Sequence, residues 1–415
     1  MRPVLLIAGR DPRDEVSGGH SSYVVAHALA ARRAGFEPHL VCVGASRCEE
    51  ESPFGRIHRV RALARPWRQQ LIALHGPLLV REAARVGRTF PPPSVVHGFG
   101  VWGWAAVRAA ERLSAGGTRA VSVLSSYTTY AEEARSQVDG VLGTYGAFMR
   151  ARFGVRHLVR RLAIAPFERS AYRTARLVLC NYESVRRLIE ADLGRSRGVR
   201  RTLYAPVSAF SPAPSPADPP PPGLDGLAPA DAPLVAAVSR HQPRKGVDVL
   251  LLALARLRER RVPFRAFLAG DGELLDANRA LVRRFSLEGS VLVAGTIPSV
   301  RGLLARADVF VLPSRREQSG SLALLEALQA GLPAVASACD GIPEDVADGQ
   351  DALLVPPGGD AVLAETLGRL LADPGLRRRL SEGAREKFRS RFSPGAFAAD
   401  LSAAYDEALA ADAGR

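Results

Sequence analysis

Lysine is almost missing from this chain. It occurs twice in 415 residues, at Lys245 and Lys387, although Lys and Arg together number 56. Arginine therefore carries nearly all of a formal net charge of +14. Such an excess favours anionic partners, but roughly half of it reads as solvated surface arginine. No recognisable nucleic-acid module accompanies it, so nucleic acid is not an expected partner. Cysteine is scarce as well. Cys42, Cys48, Cys180 and Cys339 are scattered without metal-ligand spacing, which excludes a zinc module and points to free thiols in a reducing compartment. No apolar stretch approaches the ~18 residues of a membrane-spanning helix. The start, MRPVLLIAGRDPRDE, has too short an apolar run for a secretory leader and reads as a first strand, so a cytoplasmic location is expected. There is no P-loop, no His-Glu-x-x-His and no Asp-x-Asp pair, and all eight histidines lie at or before His241.

What is present is alternation. PVLLIAG, PHLVCVG, SVVHGFG, AVSVLSS and RLVLCN read as buried strands, and SSYVVAHALAARRAG and ESVRRLIEADLG as helices between them. Apolar strands separated by helices argue a parallel sheet covered on both faces. Ser211–Pro233 then concentrates proline, which blocks helix and ladder alike, and reads as a linker or an exposed, semi-rigid loop. After it the alternation restarts with LVAAVSR, FRAFLAG, SVLVAG, DVFVLPS, PAVAS and DALLVPP. The expected fold class is therefore α/β, with two Rossmann-like, doubly wound domains facing across a cleft. The expected boundaries are residues 1–210, a linker at 211–233, a second domain at 234–390, and a terminal helix at 391–415 that packs back on the first domain.

Open parallel sheets bind ligands beyond the carboxyl ends of their strands. LVAAVSR ends in Arg240, and Lys245 follows in SRHQPRKG; a planar donor fork and a point charge suit a diphosphate, although a solvated basic loop is nearly as good a reading. FRAFLAG ends in Gly270 and Asp271, where glycine permits either close backbone approach to a ligand or simply a tight turn. DVFVLPS leads into SRREQSGSLALLEALQAGLP. There Gly320, Ser321 and Leu322 open a helix whose first amides are available to an anion. Glu326 follows among leucines, either accepting from the vicinal hydroxyls of a ribose or lying on the solvated face. Gly18 and Gly19, between the first strand and the first helix, form a second possible phosphate-facing loop or a plain turn. Gly98, Gly100 and Gly103 mimic a dinucleotide fingerprint but lack the acidic residue ~20 positions on, and read as an aromatic-containing loop.

The run from Leu234 to about Pro357 resembles the donor-binding domain of retaining GT-B glycosyltransferases, the large family 4 group (glycosyl transferases group 1). The likeness lies in AVSRHQPRKGVDVLLLAL, FLAGDGE, RADVFVLPSRREQSGSLALLEALQAGLPAVAS and DGIPEDVADGQDALLVPP. SGGHSSYVVAHALAARRAGFEPHLV and LYAPVSAFSP match more loosely. The resemblance implies a nucleotide-sugar donor, no cofactor and no metal. By position, Arg240 and Lys245 would hold the diphosphate, Glu326 the ribose, the amides around Gly320, Ser321 and Leu322 the sugar and phosphates, and Gly19 would close on the diphosphate. Arg240, Lys245 and Glu317 would be the catalytic group.

Two departures stand out. The family pattern is two glutamates with seven residues between them; here Glu317 and Glu326 have eight, and Gln318 stands where the pattern places the first glutamate. Either residue could fill the role. The family often carries a histidine after the strand matching AVSVLSSYTTY, where this chain has Ser125, Ser126 and Tyr127. The implied activity is transfer of a hexose-type sugar to an unknown acceptor with retention. The acceptor could be a glycan, a lipid-linked sugar or a small natural product. The alternatives are a nucleotide-sugar-binding protein without transferase activity, or an epimerase on the same architecture. Basic segments such as RIHRVRALARPWRQQLIALHGPLLVREAARVGR read either as a peripheral contact with anionic lipid or as ordinary surface helices.

Overall fold

The computed structural model describes residues 1–14, 19–63, 71–129, 132, 162–194, 197–317 and 320–413. The chain separates into two compact units. The first comprises Met1–Ala134, Gly154–Phe210 and Phe392–Arg415, and the second Arg135–Phe153 and Ser211–Arg391. The Gly18, Gln318 and Ser319 positions, and the whole 133–161 stretch, fall outside the described residues.

Among the described residues the first unit holds eight strands: β1 (Arg2–Ile7), β2 (Phe36–Gly44), β3 (Cys48–Ser52), β4 (Gly55–Arg61), β5 (Ser94–Phe99), β6 (Ala120–Ser125), β7 (Leu177–Cys180) and β8 (Val199–Arg201). Their order is β3-β4-β2-β1-β5-β6-β7-β8. All neighbours pair in parallel except β3 and β4, which form an antiparallel edge. The central strands are buried on both faces, with Val4, Leu5, Leu6 and Ile7 inaccessible. Burying each such side chain is worth about 1.5–3 kcal/mol, and it explains why these strands read as unbroken apolar runs. One expectation is corrected here. RIHRVR is strand β4, paired in register with β2, and no surface helix. The helix Ile72–Gly87 begins only eleven residues later.

The second unit carries β9 (Leu234–Val238), β10 (Arg265–Ala269), β11 (Val291–Gly295), β12 (Val309–Leu312), β13 (Ala334–Ser337) and β14 (Ala352–Val355). The six run parallel in the order β11-β10-β9-β12-β13-β14. Successive strands are added outward from β9 in one direction and then, from β12, in the other. The switch point thus lies between β9 and β12, where the following loops diverge and leave a crevice. Val235, Leu250, Leu254, Leu268, Val311 and Val335 are central to the core that holds this sheet.

Ser211–Pro233 is not a free tether. Leu224, Leu227 and Ala232 are buried. Arg301 forks onto Asp218 at 2.8 and 3.2 Å and donates to the carbonyls of Pro212 and Ala213. Arg306 donates to the carbonyls of Asp218 and Pro216. Proline removes amides, not carbonyls, so a proline-rich segment presents acceptors that arginine can collect.

Candidate functional site

The site begins where β9 and β12 run side by side, Val235 opposite Val309. After β9 the chain forms a short 3-10 turn, Pro243–Lys245, and then bends at Gly246 with φ +62°. A Cβ at Gly246 would stand 2.1 Å from the Pro313 carbonyl oxygen, so only glycine allows this loop to seat on the end of β12. The two loops are then stapled together. The Arg315 and Arg316 amides donate to the Arg244 carbonyl at 2.8 and 3.1 Å. The Arg315 guanidinium forks onto Asp248 with two 2.7 Å bonds. Asp248 is buried in the first turn of the helix Val247–Glu259, where the helix dipole also favours its charge.

This stapling brings two charged side chains from loops 72 residues apart into contact. The Lys245 Nζ lies 2.6 Å from both carboxylate oxygens of Glu317. The Ser314 hydroxyl also donates to Glu317, and the Glu317 amide donates to Asp340 at 2.6 Å. Asp340, in the turn after β13, holds φ at +47°, a left-handed conformation that a side-chain residue adopts at a cost. Burial pushes the Lys245 ammonium down to about 8; the Glu317 carboxylate opposes that shift and Arg244 adds to it. A lysine whose pKa burial lowers well below its ordinary range, set beside a carboxylate at a switch point, is a signature of a functional group.

The loop after β10 closes the same end of the sheet. Gly270, at φ +129°, could not carry a Cβ, which would fall 1.9 Å from the Ser239 carbonyl oxygen. The His241 amide donates to the Asp271 carbonyl at 2.9 Å. His241 is buried and its Nδ1 accepts from the Asn278 amide at 2.8 Å. Burial pushes its pKa down to about 4, so it is neutral at physiological pH.

The helix Leu322–Ala330 opens with Ser321, whose hydroxyl accepts from the Leu324 amide. The amides of Leu322 and Ala323 precede any intrahelical acceptor, and Gly320 leads into them at φ +79°. Leu324, Leu325, Ala327 and Leu328 face the core, and Glu326 is half-buried between core and surface.

Of the residues singled out in the sequence, Lys245 and Glu317 are joined. Gly270, Asp271, Gly320, Ser321, Leu322 and Glu326 lie on loops and a helix at the carboxyl end of the second sheet. Arg240 is exposed, two residues past β9. Gly19 is the first residue of the helix Gly19–Arg33. The residues that sequence reasoning missed are the staples Arg244, Asp248, Ser314, Arg315 and Asp340. Except for Ser314, three residues from Glu317, their partners are far away along the chain, and no spacing rule announces them.

No histidine stands directly after β6, but two reach its last residue from elsewhere. The Ser125 hydroxyl lies 2.8 Å from the His97 Nε2 and 3.3 Å from the His27 Nε2. His27 Nδ1 faces the Tyr23 carbonyl at 2.8 Å and must donate. Its Nε2 therefore accepts from Ser125, Ser125 accepts from His97 Nε2–H, and His97 Nδ1 accepts from the Tyr405 hydroxyl at 2.8 Å. Every tautomer in this buried chain is fixed. Burial holds His27 near 4 and His97 well below its ordinary value, so both are neutral.

Two family models match. One, described as glycosyl transferases group 1, covers residues 225–387, and the other, glycosyltransferase family 4, covers residues 17–208. The chain belongs to the group 1 and family 4 glycosyltransferases. Its fold is GT-B, with two Rossmann-like units. It is 32% identical over 239 residues to the lipopolysaccharide core biosynthesis glycosyltransferase LpsE of Rhizobium meliloti, covering 57% of this chain and 65% of that one. It is 30% identical to the alpha-D-kanosaminyltransferase of Streptomyces kanamyceticus, over 45% of this chain and 47% of that one. The matches thus span between about half and two-thirds of these relatives' length. Among solved structures, sucrose-phosphate synthase from Thermosynechococcus elongatus superposes with a TM-score of 0.74 at 22% identity, over 99% of this chain and all of that one. Anabaena HepE in complex with UDP-glucose superposes with a TM-score of 0.68 at 18% identity, over 98% of this chain and all of that one. At these identities the likeness concerns the fold.

Proposed function

We propose that this glycosyltransferase moves a hexose-type sugar from a nucleoside-diphosphate sugar to an acceptor hydroxyl, with retention and without a metal ion. The observation that carries the reading is the Lys245–Glu317 pair at the switch point of the second sheet, where stapled loops bring an ammonium and a carboxylate together. Relatives bear on the acceptor: LpsE acts in lipopolysaccharide core biosynthesis, which favours a cell-envelope glycan here.

In the proposed reaction the anomeric carbon–oxygen bond to the diphosphate breaks and a bond to the acceptor oxygen forms on the same face. The acceptor's proton passes to the departing phosphate oxygen. Negative charge grows on the leaving diphosphate, and fixed positive charge there is the main catalytic term. Lys245 supplies it, with Arg240 and the first amides of the Leu322–Ala330 helix. Glu317 orients Lys245 in the resting protein and meets the sugar when the diphosphate takes the ammonium. Glu326 receives the ribose hydroxyls. Neutralising the diphosphate in this way leaves no charge for a divalent ion to cancel.

The test is incubation with UDP-, GDP- and ADP-sugars and cell-envelope glycans, scoring release of the nucleoside diphosphate. Release that persists in chelator, with retained configuration in the product, is the expected result. Donor binding without release for any acceptor would favour the binding-only alternative. Activity restored only by magnesium or manganese would refute metal independence.

A further inference from the structure

We propose that Glu49, His58 and Glu82 form a site for a divalent transition-metal ion, with zinc as its probe. The site is in the first unit and owes nothing to the transferase reading. Glu49 on β3 and His58 on β4 are directly opposed across the antiparallel pair, so their side chains share a face. Glu82, on the helix Ile72–Gly87, is 7% exposed. One donor atom from each residue lies within 4.8 Å of the others.

The second observation is the imidazole itself. His58 is 4% exposed, and its Nδ1 is buried and meets no hydrogen-bond partner among the described residues. The Glu49 carboxylate stands 3.6 Å away, beyond hydrogen-bond distance. The other ring nitrogen, Nε2, lies 3.0 Å from the His39 Nδ1. When Nε2–H donates to His39, the Nδ1 lone pair points at two carboxylates, and three acceptors face one another. A cation resolves that conflict, and with Nε2–H on His39 the Nδ1 is the nitrogen left to ligate it.

In the metal-free protein Arg85 fills part of this role. It bonds to Glu82 at 2.7 Å and to Glu49, and Arg47 lies 3.5 Å from Glu82. The Arg85 side chain is 46% exposed and is free to withdraw into water. One imidazole and two carboxylates suit zinc better than magnesium or calcium, which prefer all-oxygen shells. Bonds of about 2.1 Å need the three donors to close by roughly an ångström, and the exposed Glu49 can move that far. A bound ion would clasp the β3–β4 edge to the helix.

Titration calorimetry and thermal melts of the full chain test this, with zinc and magnesium as ligands. One zinc per chain and a raised Tm are expected, with no response to magnesium. Glu49→Gln, at an exposed side chain, removes a charged ligand and weakens zinc by at least about 10-fold. Arg85→Ala strengthens it, because the competing cation is gone. No zinc uptake, uptake unchanged by Glu49→Gln, or weaker uptake in Arg85→Ala would each overturn the site; the last would make the cluster an ordinary ion-pair network.

Discussion

Six strands of the first sheet, β4-β2-β1-β5-β6-β7, follow the same order as the second sheet, and the two sheets differ in what they place at their carboxyl ends. The first ends in a neutral chain, Tyr405–His97–Ser125–His27, in which every donor meets an acceptor. The second ends in an ammonium and a carboxylate. Both are buried, yet a neutral, satisfied chain offers a ligand nothing, while a buried ion pair stands ready to exchange partners. Burial alone does not mark a site. What marks it is charge held at a cost that a substrate could relieve.

The largest expected effect removes the charge. Lys245→Ala should lower kcat/KM for nucleoside diphosphate release by about 10²–10³, the usual consequence of deleting a fixed donor to a developing anion. A variant with unchanged kinetics would erase the contrast between the sheets. Acid should act on the other end. His27 is held near 4 against an ordinary value of 6.5, so below 6.5 the unfolded chain binds a proton that the folded chain refuses. Stability is full above pH 6.5 and falls as pH drops towards 4, by on the order of 3 kcal/mol from this group. Denaturant melts across that range, compared with His27→Gln, read it directly.

Next in size is Gly246→Ala, which forces a side chain against the Pro313 carbonyl at positive φ. A loss of about 1–3 kcal/mol is expected, together with weaker donor binding, because the same turn carries Lys245. The alkaline limb gives a milder signal. Lys245 is protonated below about pH 8, so donor affinity should be flat below that value and decline above it, with proton uptake on binding measurable in buffers of different ionisation heat. Smallest is Arg240→Ala. Arg240 is exposed, and stability should stay within about 0.5 kcal/mol while donor KM rises. A stability loss would show a structural role instead.

The sequence disclosed the sheets well, because strands buried on both faces must be continuously apolar. It hid β3, whose CEEES carries three glutamates. An edge strand is free to be charged, so it leaves no apolar signature. Lys245 was legible as one of two lysines beside a strand end. Glu317 was legible only as one of two candidates; the fold sets it on Lys245, while Gln318 lies outside the described residues. The histidine chain could not be read at all, since residues 27, 97, 125 and 405 meet only after folding.

The helix Pro394–Ala413 belongs to the first unit, where Tyr405 completes the histidine chain and Asp400 ties Arg200, Thr202 and the Leu203 amide. The long stretch Ser211–Arg391 of the second unit is therefore spelled out before the last segment of the first. During synthesis the ribosome must release residues 211–391 before the first unit receives its last helix. The first unit is thus completed only after that stretch has been made, and its Tyr405-shaped gap stays open until the helix Pro394–Ala413 arrives.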